Sequence, residues 1–114
     1  MNNQNNDPPD VCPLQARFCG IFSNVARLRI LALLGKRELC VGDIASELEL
    51  SMSAVSQHLA VMKDRRAVSQ RRDGQNVFYR VRNQKFLRGS MLIREGILEE
   101  LEKSGRILDS ANQD

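Results

Sequence analysis

A chain of 114 residues makes one domain with a modest core, and with only 4% aromatics that core must be aliphatic. No stretch approaches the length of a membrane span and no apolar run follows the first methionine, so a soluble, cytoplasmic chain with no membrane partner is expected. The three cysteines are an odd number with no C-x-x-C pair, which argues against a disulfide scaffold or a thioredoxin-type site; one histidine, no phosphate loop and no nucleophile–base pair argue against an enzyme.

The net charge of +3 is unevenly spread. Between Lys63 and Arg94 there are ten Lys or Arg against two acids, whereas from Glu95 onward six acids face two bases. A basic block of this kind is either solvated surface or the footprint of a phosphate-backbone partner.

In chain order, residues 1–11 are almost wholly Asn, Gln, Asp and Pro and read as a disordered arm, with Cys12 at its inner edge. The compact domain is expected over 12–103. From Leu14 the pattern is helical, with Phe18, Ile21, Phe22 and Val25 at i, i+3, i+4 and i+7. Ser23-Asn24 predicts a break, because these residues prefer caps to helix interiors. A second helix then carries Leu28, Leu31 and Leu34 and stops at Gly35. Cys19 falls in the first helix, close to its buried side.

Cys40 to Lys63 reads as two short helices and a tight turn. The first starts just after Cys40, with Asp43 in its first turn, Ile44, Ala45 and Leu48 inward, and Leu50 as a buried plug in the turn. Ser51 predicts an N-cap. The second helix has Val55, Leu59 and Met62 on one apolar stripe and presents Ser53, Ser56, Gln57 and Lys63 on the other face. A small helical hairpin and a helix-turn-helix that reads a major groove both fit this stretch. The segment after Ala67 favours the second. Asp73-Gly74 between two β-prone runs predicts a hairpin, and Arg71, Arg72, Gln75 and Asn76 crowd its tip. A basic hairpin directly after a helix-turn-helix is a wing, with arginines suited to phosphates or a minor groove. The fold class expected is therefore mainly α with a two-stranded β-wing. His58 lies at the rim of the reading helix, where a phosphate contact or a packing role fits.

Gln84 to Lys103 is predicted helical, with an apolar face of Phe86, Leu87, Met91, Leu92, Ile93, Ile97, Leu98 and Leu101 that is too wide for a lone surface helix. It either completes the monomer core or pairs across a two-fold; the short chain leaves little else to cover it, which favours a homodimer. Gly89 and Gly96, seven apart, could admit another backbone. Residues 104–114 form a polar tail.

Four motifs in order, Asn24-Val-Ala-Arg-Leu-Arg-Ile-Leu-Ala-Leu-Leu34, Glu38-Leu-Cys-Val-Gly-Asp-Ile-Ala45, Leu50-Ser-Met-Ser-Ala-Val-Ser-Gln-His-Leu59 and Arg71-Arg-Asp-Gly-Gln-Asn-Val-Phe-Tyr-Arg-Val81, resemble the ArsR/SmtB metal-responsive repressors over about Phe18 to Leu101. The resemblance implies a winged helix-turn-helix, dimeric through its terminal helices, that binds a double-stranded operator of imperfect palindromic sequence and leaves it when an inducer binds. DNA contacts are then expected from Ser53, Ser56, Gln57, His58, Lys63, Arg71, Arg72, Gln75 and Asn76. One inducer site of the family joins cysteines of the N-terminal arm to a Cys, often with an acid, at the start of the helix-turn-helix. Cys40 and Asp43 match that place, with Cys12 as the arm ligand and Cys19 as a third thiolate or a small core residue. Many relatives have Cys-x-Cys where this chain has Cys40-Val-Gly42, so one usual thiolate is missing. The family's second site, on the C-terminal helix, needs a histidine that this stretch lacks.

A helix start favours a thiolate at Cys40 through the positive end of the helix dipole; the alternative is a cysteine standing in for a Ser cap. Three thiolates suit As(III) or Pb(II), and three with a carboxylate suit Zn(II) or Cd(II); no organic cofactor is implied. Two alternatives stand beside the metal-released repressor. The same fold could act as a thiol redox or reactive-sulfur switch, which needs two cysteine Cα atoms within ~7 Å. The chain could also be an interaction module that uses its C-terminal helix and no DNA.

Overall fold

The computed structural model describes residues 9–105. The predicted arm and polar tail lie mostly outside these residues. The element order is α1 (Cys12–Cys19), a 3-10 turn (Gly20–Ser23), α2 (Val25–Leu34), α3 (Val41–Leu48), α4 (Met52–Asp64), β1 (Val68–Asp73), β2 (Asn76–Val81) and α5 (Gln84–Lys103). This is a winged helix-turn-helix, as the sequence predicts.

The breaks between helices follow from side chains that satisfy free backbone donors. Asn24 ends the 3-10 turn in an extended conformation and its side chain accepts from Arg27 N, which starts α2. Ser51 does the same for α4, accepting from Ala54 N at 3.0 Å. Ser51→Ala should therefore lower stability by about 1 kcal/mol, read as a melting point reduced by several degrees with α4 still formed.

Two corrections concern burial. Leu50 is not a buried plug but 36% exposed. Glu49 takes the left-handed conformation (φ 57°, ψ 46°) and Leu50 N donates back to Ala45 O at 3.0 Å, so backbone bonds close α3 and turn the chain outward. Leu28 and Val25 are also exposed, because the buried side of α2 runs through Ile30, Leu31 and Leu34.

The core joins those residues to Ile21, Ile44, Val55, Leu59 and Met62, and to Ala67, Val68 and Val81 at the base of the wing. It is wholly apolar among the described residues. β1 and β2 pair antiparallel from Val68↔Val81 to Asp73↔Asn76, which leaves Gly74 and Gln75 as a two-residue loop. Gly74 takes φ +65° at the first loop position, where a tight hairpin of this hand requires glycine. Leu39 adds a third, single-residue rung: its N donates to Tyr79 O at 3.2 Å and its O accepts from Tyr79 N at 2.8 Å. The segment before α3 is thus stitched to the outer edge of the wing.

α5 begins at Asn83, whose side chain accepts from Lys85 N. It touches the body mainly near its start, where Leu87 lies against Gly35 and Phe86 against Phe18. No residue of α5 is buried within the chain, and Met91, Leu92, Ile93 and Ile97 stand 47%, 66%, 60% and 55% exposed. Of the two readings of this helix, completion of the monomer core is therefore not what the chain does. No helix among the described residues is long and apolar enough to cross a membrane.

Candidate nucleic-acid interface and thiol site

The reading face of α4 is built from behind. Val55, Leu59 and Met62 are completely buried, which fixes the rotation of the helix about its axis. Ser53, Ser56, Gln57 and Lys63 are consequently exposed on one outward side. Two short hydroxyls and one amide within about one helical turn give a row of donors and acceptors that a base edge can approach closely. His58 is half-buried, and its Nδ1 accepts from Arg27 Nε at 3.3 Å. That bond ties the middle of α4 to α2. The end of α4 is tied to α1: Arg17 pairs with Asp64 at 3.4 Å, and Arg65 Nη1 donates to Arg17 O at 3.2 Å.

The wing extends the polar surface. Arg71, Arg72, Gln75 and Asn76 are all exposed. They do not share one environment, because successive strand residues face opposite ways. Arg71 lies with Ser69 and Asp73 on one face and Arg72 on the other. Arg71 Nε donates to Glu38 Oε1 at 2.7 Å, its guanidinium stands 4.8 Å from the centre of the Phe78 ring, and Asp73 is 3.9 Å away. Arg72 has no ion pair among the described residues. Sequence reading missed Glu38 and Arg27. Both act across more than thirty residues of chain, and neither carries a local pattern that names its partner.

The thiols are only partly assembled. Cys40 is the N-cap residue of α3 and half-buried, yet it makes no capping hydrogen bond. Its Sγ instead donates to Asp43 Oδ2 at 3.3 Å. The stand-in for a Ser cap is therefore not realised, and sulfur and carboxylate share one spot at a helix start. Cys12 and Cys19 open and close α1, and both are exposed. Cys19 as a core residue is thus corrected: α1 buries no residue, and the apolar stripe enters the core only at Ile21. The backbone N of Cys12 donates to Asp10 Oδ1 at 3.0 Å, which holds that carboxyl below its ordinary range. Among the described residues no three His, Cys, Asp or Glu side chains converge. Cys40 and Asp43 could supply two donors to a thiophilic cation, and any further donor must come to them.

A buried-backed reading helix followed by a basic hairpin defines a winged helix-turn-helix of the kind that engages duplex DNA. The model of bacterial regulatory proteins of the arsR family matches residues 24–70. A transcriptional repressor SmtB homolog of Synechocystis is 39% identical over 70 residues, covering 61% of this chain and 53% of that protein. HlyU of Vibrio cholerae, described as a transcriptional activator, is 49% identical over 58 residues, covering 51% and 54%. The structure of its reduced form superposes with a TM-score of 0.67 at 35% identity, over 73% of this chain and 87% of that one. The homodimeric winged helix-turn-helix domain of Mb0332 from Mycobacterium bovis gives a TM-score of 0.77 at 28% identity, over 89% and 94%. The chain belongs to the ArsR/SmtB family. Its alignments span about half the length of these two curated relatives, 53% and 54%.

Proposed function

We propose that the chain is a dimeric, DNA-binding transcriptional repressor that leaves an imperfectly palindromic operator when a thiophilic metal or metalloid ion binds its cysteines. The observation that carries the DNA reading is the fully buried Val55–Leu59–Met62 stripe beneath an exposed Ser53–Ser56–Gln57 row. Each row enters a major groove and each wing lies on the flanking backbone, with Lys63, Gln75 and Asn76 at its margins. Gln57→Ala tests this. A bidentate amide–adenine pair is worth about 1–3 kcal/mol of discrimination, so the variant should lose operator preference while holding random duplex as before. Equal loss on both DNAs would remove α4 from the groove.

Family membership and the Cys40–Asp43 contact support the inducer reading. Cys40 and Asp43 hold the ion from α3, and Cys12, with Cys19 as a further donor, brings thiolate from α1 of the same or the second copy. Three thiolates select As(III) or Pb(II), and an added carboxylate selects Cd(II) or Zn(II). The rival is a switch in which two thiols are bridged by oxidation or by reactive sulfur. It has a specific footing, since the HlyU structure is distinguished as a reduced form. Thiolate-to-metal absorption on titration separates the two, because oxidation changes the thiol count instead.

A further inference from the structure

The wing's arginines are not equivalent, and the cause is a carboxylate from outside the wing. Glu38 lies in the segment that Leu39 stitches to β2 as a third rung. The antiparallel register continues from Leu39↔Tyr79 to set Glu38 beside Arg80. There Glu38 Oε2 stands 3.8 Å from Arg80 Nη1 while Oε1 accepts from Arg71 Nε at 2.7 Å. Arg80 Nε also donates to Ser69 Oγ at 3.2 Å across the strand pair. One carboxylate thus holds two guanidinium groups on one face of the wing, and Phe78 and Asp73 complete the holding of Arg71. The Glu38 side chain is 29% exposed, against 48% for Arg71 and 60% for Arg80, so the carboxylate is the most sheltered member of the cluster.

We propose that Glu38 is a positioning residue for DNA contact: it withholds Arg71 and Arg80 from the phosphate backbone and leaves Arg72, on the opposite face, to make the wing's phosphate contact. Glu38 and Asp73 together set two carboxylates against the two guanidinium groups of Arg71 and Arg80, and a guanidinium so paired gains little from a phosphate and releases no counterion when it meets one. Arg72 releases one. The wing therefore adds one backbone contact per protomer, not three, and non-specific affinity is held down relative to what the α4 row reads. This rests on the DNA-binding reading above.

The test is the salt dependence of binding of the full chain to a random-sequence duplex, where each phosphate contact contributes a slope of about −0.9 in log K against log salt. Arg72→Ala should flatten the slope by about one unit per wing, whereas Arg71→Ala in the otherwise unchanged chain should leave it where it was. Glu38→Gln should steepen the slope and tighten random DNA. Arg71→Ala made on top of Glu38→Gln should then take back about one unit per wing. Glu47→Gln is the charge-matched control, since Glu47 lies in α3 and pairs with Arg37 rather than with an arginine of the wing, and it should leave the slope unchanged. Circular dichroism reports that each variant is folded. A flattening by Arg71→Ala as large as that by Arg72→Ala overturns the proposal, and so does a slope unmoved by Glu38→Gln or steepened equally by Glu47→Gln. Failure of the unchanged chain to hold any duplex at the lowest salt overturns the DNA reading, and the proposal with it.

Discussion

Ile93→Asp and Ile97→Asp should each sediment as a monomer at concentrations where the unchanged chain is a dimer. Both side chains are more than half exposed within one chain, and α5 buries no residue along its twenty. Leaving Met91, Leu92, Ile93 and Ile97 in water is costly: fully burying such a side chain is worth about 1.5–3 kcal/mol, and a two-fold contact counts each one twice. An aspartate placed there must either lose its hydration inside an apolar contact or hold the contact open. Removing one partner of a buried ionic contact costs about 3–5 kcal/mol, and an unpaired carboxylate with no partner at all belongs in that range. The dimer dissociation constant should accordingly rise by about a hundredfold or more. The core of Ile30, Leu31, Val55, Leu59 and Met62 does not involve these positions, so the far-ultraviolet spectrum should retain its helix. Loss of dimer with retained helix assigns the α5 face to association. An intact dimer in both variants would place the interface elsewhere.

The same helix shows where sequence reading succeeds and where it stops. Its bounds, and the Asn24 and Ser51 caps, are legible because a helix start needs a side-chain acceptor within a few residues, which is a local demand. The Val55–Leu59–Met62 stripe is legible because burial repeats with the helix period. The expectations for Leu50 and Cys19 fail for a common reason: apolar character alone does not say on which side of a turn a residue falls. A left-handed Glu49 carries Leu50 outward, and the short 3-10 turn after α1 admits Ile21 to the core rather than Cys19. The thiol site is legible as residue types at Cys40 and Asp43, and those two do meet. What brings Cys12 and Cys19 to them, or keeps them apart, depends on long-range placement of α1, which no local pattern encodes. Glu38 belongs to the same class, since its role comes from a single rung of sheet made by Leu39.

Cys40→Ser should abolish the response to thiophilic ions while leaving operator affinity within about twofold. Serine keeps the size and the N-cap geometry at the head of α3, so the folded chain and its reading face are preserved; what is lost is the thiolate. An ion gathered by Cys40 and Asp43 from one side and by the α1 thiols from the other would tie α3 to α1. α1 is already attached to the end of the reading helix, because Arg17, between Cys12 and Cys19, pairs with Asp64 and accepts from Arg65. A pull on α1 is therefore a pull on the end of α4, and two α4 helices must keep a fixed spacing to fit two half-sites. An inducer releases DNA only to the extent that it prefers the arrangement that fits the operator less well, and a coupling of about 1–3 kcal/mol gives a several-fold to hundredfold loss of affinity. Asp43→Asn should keep some response but change which ion evokes it, weakening Cd(II) and Zn(II) before As(III), since only the first two call for the carboxylate. The measurement is operator binding by fluorescence anisotropy with each ion, and separately with an oxidant and a persulfide donor. A Cys40→Ser chain released normally by all of them would move the sensor away from α3. A parent chain released by persulfide and by no metal would keep Cys40 as the sensor and make the switch one of sulfur oxidation.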